Sequence, residues 1–140
     1  MYIPEGYVIR EGLDPVDFDM VHSWLTTSYW SPGVSIEKVR RAAANSSLVL
    51  GVYKGSEQAG YMRVVSDRTT FAWVADVWVG ENHRSQGLAK AMVRHAMAHP
   101  EHQSFRLWVL STRDAHGVYG ECGFQPLPEP SRFMVKLPNA

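Results

Sequence analysis

The stretch NHRSQGLA, residues 82–89, sets Arg84, Gly87 and Ala89 in an Arg-x-x-Gly-x-Ala spacing. It lies between an apolar run, FAWVADVWVG, and a helix-like stretch, KAMVRHAMAH. A strand, a tight basic turn and a helix start in that order can cradle an anion. The first turn of a helix leaves backbone N–H groups unpaired and carries partial positive charge, so it favours phosphate or carboxylate. Gly87 keeps a Cβ out of the approach, Ala89 keeps the first turn slim, and Arg84 supplies a charge. Two familiar cradles do not match. A nucleoside-triphosphate loop ends in Gly-Lys-Ser/Thr after a longer spacing, whereas here Lys90 follows Ala89 and no hydroxyl follows it. A dinucleotide fingerprint needs three glycines, and only Gly87 is present. A plain glycine turn ahead of an amphipathic helix would read the same in these six residues.

Other residues could also do chemistry. Asp76 stands alone among apolar residues in WVADVWV, where burial would raise a carboxyl pKa towards the range of a general base. A carboxylate that pins a neighbouring turn would look no different in sequence. His95, His99 and His102 lie in HAMAHPEH, whose i,i+4 pair could hold a metal. The glutamate of the His-Glu-x-x-His zinc motif is missing and no carboxylate ligand is clearly placed, so a solvated face and no metal are expected. Cys122 is the only cysteine, which excludes an intrachain disulfide and a cysteine-rich zinc site and fits a reducing cytoplasm.

The elements that must hold these residues read in the order β-α-α-β-β-β-α-β-α-β-β. YVIREG (7–12) is a short strand. Asp14 as N-cap and Pro15 at the first helical position open a helix over DPVDFDMVHSWLTTSYW, with Val21, Trp24 and Leu25 on one stripe. SPG (31–33) breaks it, and Ser35 caps a second helix, IEKVRRAAA. SLVLGVYKG, QAGYMRVVSD and TTFAWVADVWVG are strands joined by hairpin-like KGSE and SDRT. A helix then runs from the 82–89 turn to His99, ended by Pro100. FRLWVL (105–110) is a fifth strand, and Ser111 with Asp114 resembles a capping box that opens a short helix through Tyr119. CGFQPL and RFMVKL close the chain as two more strands. The class is mixed α/β, a largely antiparallel sheet of about seven strands with four helices.

At 140 residues the chain is expected to form a single domain over 1–140. Its 14 basic and 14 acidic residues cancel, so no global field favours nucleic acid or a membrane surface. No apolar run approaches the roughly 20 residues that span a bilayer. MYIPEGYVIREG lacks the basic-then-apolar order of a secretory signal, and a cytoplasmic location is expected.

A second element, TRDAHGVYGECGF (112–124), narrows the reading. Arg84-x-x-Gly87-x-Ala89 resembles the pyrophosphate-binding motif of the GCN5-related N-acetyltransferases (GNAT family), Arg/Gln-x-x-Gly-x-Gly/Ala. The second element resembles that family's Asn-x-x-Ala-x-x-Leu-Tyr-x-x-x-Gly-Phe pattern, with Ala115, Tyr119, Gly123 and Phe124 at matching spacings. Val118 replaces the usual leucine and Thr112 the common asparagine. SYWSPG and TRDAHGVY are similar to strings of small stand-alone members, and the element order matches over nearly the whole chain.

The resemblance implies a sheet split between the fourth and fifth strands, entered by coenzyme A, with acetyl-CoA as co-substrate. The strand segment Val77–Trp78–Val79 would line the pantetheine, with the backbone of Val77 and Val79 hydrogen-bonding it and Thr112 beside the same arm. The turn and helix start from Arg84 through Ser85, Gln86, Gly87, Leu88 and Ala89 to Lys90 would hold the pyrophosphate. Acetyl transfer to an amine needs a neutral amine, a stabilised oxyanion and a proton for the leaving thiolate. A backbone N–H of the splayed strand can serve the oxyanion. Tyr119, near the sulfur in the family, is the expected acid, since a phenol of pKa about 10 can protonate a thiolate. A core tyrosine with a satisfied hydroxyl is the plain alternative. Asp76 is the candidate base and His116 a lesser one; Cys122, beside Gly123, fits the core better than a covalent relay.

In this family the acceptor usually meets the end of the chain and the loop between the first two helices, here TTSYWSPGVS with Tyr29 and Trp30, while Trp73 and Trp78 lie in the strand beside the cleft. Aromatic walls suit an apolar, aromatic or cationic amine, although core packing would explain each ring singly. Asp19 and Glu37 could draw a cationic acceptor or be solvated charges. The implied activity is N-acetylation of a primary amine, a small molecule, by direct transfer in a ternary complex, in a monomer or homodimer without nucleic-acid or membrane partners. Alternatives are acetylation of a protein N-terminus or lysine, and a non-catalytic acyl-CoA-binding module.

Overall fold

The computed structural model describes residues 3–139; Met1, Tyr2 and Ala140, the ends of the expected 1–140 domain, lie outside the described residues. The elements are β1 (Tyr7–Glu11), α1 (Phe18–Leu25), α2 (Ile36–Ala44), β2 (Leu48–Lys54), β3 (Glu57–Ser66), β4 (Phe71–Val79), α3 (Leu88–Met97), β5 (Leu107–Val109) and α4 (His116–Gly120). The strands form one sheet in the order β1-β2-β3-β4-β5, antiparallel except for the parallel β4–β5 pair.

The sheet is the middle layer. On one face Leu50, Val52, Met62 and Val64 pack against Leu88, Met92, Val93 and Ala96 of α3. On the other, Val21 and Leu25 of α1 and Val39 and Ala43 of α2 cover Val49 and Tyr61. Gly60 lets these layers close. A Cβ there would meet Val52 Cγ1 at 2.8 Å and both Met92 Cε and the Trp78 carbonyl oxygen at 3.1 Å.

β4 carries a bulge. Tyr61 pairs with Trp78 but Arg63 with Ala75, so β4 holds one residue more than β3 across that interval. Asp76 takes the strain with φ 55°, a left-handed conformation that aspartate tolerates better than most residues. Ala72 and Val74 before the bulge and Val77 and Val79 after it all belong to the α3-side core, whereas Trp78 packs on the α1–α2 side. β5 meets β4 only from Phe71 to Trp73, so β4 from Val74 onward has no β5 partner. This is the expected split.

Several boundaries differ from expectation. Five strands form among the described residues, because neither CGFQPL nor RFMVKL becomes a strand. Pro126, Pro128 and Pro130 remove ladder donors, and Met134 and Val135 are 96% and 82% exposed with no strand beside them. α1 is capped by Asp17 instead of Asp14: its carboxylate accepts from the Met20 N–H at 3.1 Å and its own N–H donates to Gln58 Oε1 at 2.7 Å. Ser35 caps α2 as expected, accepting from the Lys38 N–H. α3 ends at Met97, and His99 caps a separate 3-10 turn over Pro100–His102.

Candidate active site

The turn after β4 is built from below. The Gly80 N–H donates to Ala59 O at 2.8 Å, so the alternation of an antiparallel ladder aims the backbone groups of Val79, and of Val77 before it, at the open side. A 3-10 turn over Glu81–His83 follows, and Ser85 (φ 65°) and Gly87 (φ 79°) swing the chain into α3. α3 has no side-chain cap, so the first-turn N–H groups of Leu88, Ala89 and Lys90 are left for a ligand or solvent. His83 fixes this turn: Tyr7 Oη lies 2.8 Å from its Nδ1 and Glu57 Oε2 2.7 Å from its Nε2. Gln86 Nε2 donates to the same Tyr7 hydroxyl at 3.1 Å. These three contacts join β1, the β3 start and the turn into one network.

The side chains around this turn are partly committed. Arg84 Nε donates to Val79 O at 3.0 Å and its guanidinium lies 5.5 Å from the Trp78 ring centroid, which puts its charge at the end of β4. Lys90 Nζ reaches Glu121 at 3.2 Å. Thr112 Oγ1 accepts from the Ala115 N–H at 3.0 Å and so leads into α4 in place of the expected Ser111–Asp114 box.

Tyr119 lies on α4, half-buried and edge-on to Phe124 with centroids 6.1 Å apart. Burial pushes its phenol up to about 12, with Tyr29 nearby adding to the shift. Its hydroxyl has no hydrogen-bond partner among the described residues, unlike a satisfied core tyrosine. Cys122 is buried, which raises its thiol pKa and suits packing.

Asp76, alone among apolar residues in the sequence, has two partners in the fold. Its Oδ1 accepts from Trp30 Nε1 at 2.8 Å and its Oδ2 from Arg63 Nε at 2.7 Å; Arg63 Nη1 continues to Ser46 Oγ at 3.3 Å. Tyr29 reaches the other way. Its hydroxyl accepts from the Arg113 N–H at 2.8 Å and the Arg113 guanidinium lies 4.0 Å from its ring centroid. With Trp30 edge-on to Tyr29 at 5.0 Å, the α1–α2 loop is strapped both to the bulge and to the segment before α4.

A cavity of about 680 Å³ opens beside this loop, lined among others by Trp30, Val34, Lys38, Arg63 and Asp76. Trp73, which pairs with Val65 and Val109, is not part of its wall, nor are Tyr29, Asp19 or Glu37. His116 is exposed. His95 and His99 do not form a free solvated face: both approach Glu11, at 2.7 and 3.6 Å, and buried His102 bonds Ala96 O. No group of side chains that could hold a metal occurs among the described residues. Sequence reasoning missed Arg63, Arg113 and His83. Arg63, a cation inside the apolar GYMRVV, offered a signal; Arg113 and His83 gave none.

Residues 15–124 match the model of the Acetyltransferase (GNAT) family. A GNAT-family protein from Xanthomonas campestris pv. campestris is 33% identical, with 97% of this chain and 95% of that one covered and a TM-score of 0.90. The fold is also shared by a predicted acetyltransferase from Clostridium acetobutylicum, solved with acetyl-CoA (13% identity, coverage 94% and 95%, TM-score 0.66). An aminoglycoside acetyltransferase from an uncultured soil metagenomic sample is similar in fold too (13% identity, coverage 94% and 97%, TM-score 0.65). No curated protein matches the sequence. With a family match over most of its length, a sheet that splits beyond Trp73 and an uncapped helix start at the split, this chain belongs to the GNAT family of acetyl-CoA-dependent acetyltransferases.

Proposed function

We propose that the chain, as one acyl-CoA N-acyltransferase domain over 1–140, acetylates a primary amine of a small molecule by direct transfer from acetyl-CoA in a ternary complex. The observation that carries this reading is the unpaired edge of β4 beyond Trp73, with the uncapped start of α3 beside it. In this reading the amides from Ser85 to Lys90 hold the pyrophosphate, with Arg84 adding charge, and the backbone of Val77 and Val79 meets the pantetheine alongside Trp78 and Thr112. The Val79 carbonyl already accepts from Arg84, so its N–H is the group left for the ligand.

The amine nitrogen attacks the acetyl carbon, the N–C bond forms and the C–S bond breaks. A backbone N–H at the bulge meets the oxyanion. Tyr119 Oη gives its proton to the departing sulfur and is reprotonated as the new amide nitrogen loses one. Like any phenol it is protonated at neutral pH, as a donor must be, and burial only reinforces this. Asp76 keeps lone pairs after the bonds from Arg63 and Trp30, and in the base role it takes the acceptor's ammonium proton. Trp30, with Tyr29 holding the loop, closes the acceptor side. No helix among the described residues is long and apolar enough to cross a membrane, and the proposed setting is cytoplasmic, as monomer or homodimer.

Calorimetry with acetyl-CoA, followed by a thiol-release screen over an amine panel, tests this. Tyr119→Phe is expected to cut turnover by about 10²-fold, the scale of general acid–base contributions, with coenzyme affinity retained. Undiminished turnover removes Tyr119 from the chemistry. Acetyl-CoA binding without thiol release from any amine would mark a binding module instead.

A further inference from the structure

The cavity beside the α1–α2 loop has a charge pattern that a plain amine does not require. Leu25, Val34 and Val39 give it an apolar wall, and its ionic groups are Lys38, Arg63 and Asp76. Two cations against one anion leave a net positive lining. Asp76 already receives one donor on each oxygen. Arg63 commits Nε to Asp76 and Nη1 to Ser46, which leaves Nη2 without a partner among the described residues. The Lys38 ammonium likewise has no carboxylate within ion-pair distance among them.

The Arg63 side chain is only 19% exposed, so its free edge is partly withdrawn from water and gains most from a ligand that replaces the lost hydration. The free Nη2 can donate a charge-assisted hydrogen bond to a carboxylate, and a flexible ammonium beside it adds a point charge. Asp76 sits on the bulge, within the stretch of β4 that has no β5 partner, and its remaining lone pairs can meet an ammonium. Cationic readers, an anionic one next to the β4 opening and an apolar wall together describe a zwitterion with an apolar side chain.

We propose that this cavity receives an α-amino acid with an apolar side chain, its carboxylate read by Arg63 and Lys38 and its amine held at Asp76. The proposal rests on the acetyl-transfer reading above for what then happens to the amine. It replaces the expectation of a cationic acceptor drawn by Asp19 and Glu37, neither of which lines the cavity.

The test compares leucine with isoamylamine and phenylalanine with phenethylamine, matched pairs that differ by the carboxylate. Thiol release from acetyl-CoA is expected to favour each acid by roughly tenfold or more in kcat/KM, the scale of one charge-assisted hydrogen bond. Lys38→Met, on the exposed side of α2, is expected to shrink that ratio through KM. Amines that match or outpace their acids, or a ratio unmoved by Lys38→Met, would overturn the subsite while acetyl transfer stands. Should neither acids nor amines release thiol, the wider amine panel above decides acetyl transfer. Calorimetry of the same four compounds on the acetyl-CoA complex then decides the subsite alone: binding of the acids but not the amines upholds it, and binding of neither overturns it.

Discussion

Replacing Gly87 separates the fold from the ligand. Gly87 sits at φ 79° and ψ 18°, immediately before α3. A Cβ there would meet nothing nearer than Lys90 Cε at 3.8 Å, so crowding by the protein costs nothing and the backbone conformation is the whole penalty. For alanine the left-handed region costs about 1–2 kcal/mol. In a domain of this size that lowers Tm by about 3–8 °C. Aspartate tolerates the same conformation better and places a carboxylate at the positive end of α3, so Gly87→Asp should melt closer to wild type. That carboxylate would occupy the N–H groups assigned to the pyrophosphate and repel it. Loss of one charge-assisted hydrogen bond or more predicts acetyl-CoA affinity down by about 10- to 100-fold. The two variants should therefore rank in opposite orders, alanine worse in thermal melts and aspartate worse in calorimetry. An alanine variant that melts like wild type refutes the strain argument. An aspartate variant that binds acetyl-CoA normally places the pyrophosphate elsewhere.

Two further outcomes concern the fold. Burial holds the phenols of Tyr53 and Tyr119 up at about 12 and raises Tyr61 as well. An unfolded phenol ionises near pH 10, so the stability these groups contribute is intact below about pH 10 and lost as pH climbs through about 12. Urea midpoints should fall between about pH 9 and about pH 11, and identical midpoints would contradict this. Gly60→Ala would force a methyl to 2.8 Å from Val52 Cγ1 and 3.1 Å from the Trp78 carbonyl. It should destabilise by about 1–3 kcal/mol in denaturant titration, and an unchanged midpoint would mean that these layers yield easily.

Residue patterns located the elements that depend on local signals and missed those that depend on distant partners. Ser35 caps α2 through a bond three residues away, and SLVLGVYKG and QAGYMRVVSD carry their own hairpin turn. The true start of α1 was hidden because Gln58, 41 residues on, holds Asp17 in place. RFMVKL has the composition of a strand, yet a strand exists only with a partner ladder, and no periodicity reports whether one is present. The site divides in the same way. The turn at 82–89 and the Tyr119 element were legible because their chemistry is contiguous in sequence. The environment of Asp76 was not, since Arg63 and Trp30 reach it from 13 and 46 residues away, and the bulge that aligns them is a property of pairing. Tyr29 and Arg113, 84 residues apart, meet for the same reason.

The bulge at Asp76 also bears on how this strand can change length. Even-numbered Ala72 and Val74 face α3 on one side of it, and odd-numbered Val77 and Val79 do so on the other. The extra residue works as a frameshift in the pleat. Deleting the extra residue would restore simple alternation, set Val77 opposite Met62, and leave Val77 and Val79 facing α3 with Trp78 still opposite Tyr61 on the α1 side. What the bulge supplies is therefore Asp76 itself, an added carboxylate in a left-handed turn that Trp30 and Arg63 can both reach, at no cost to how the core side chains face.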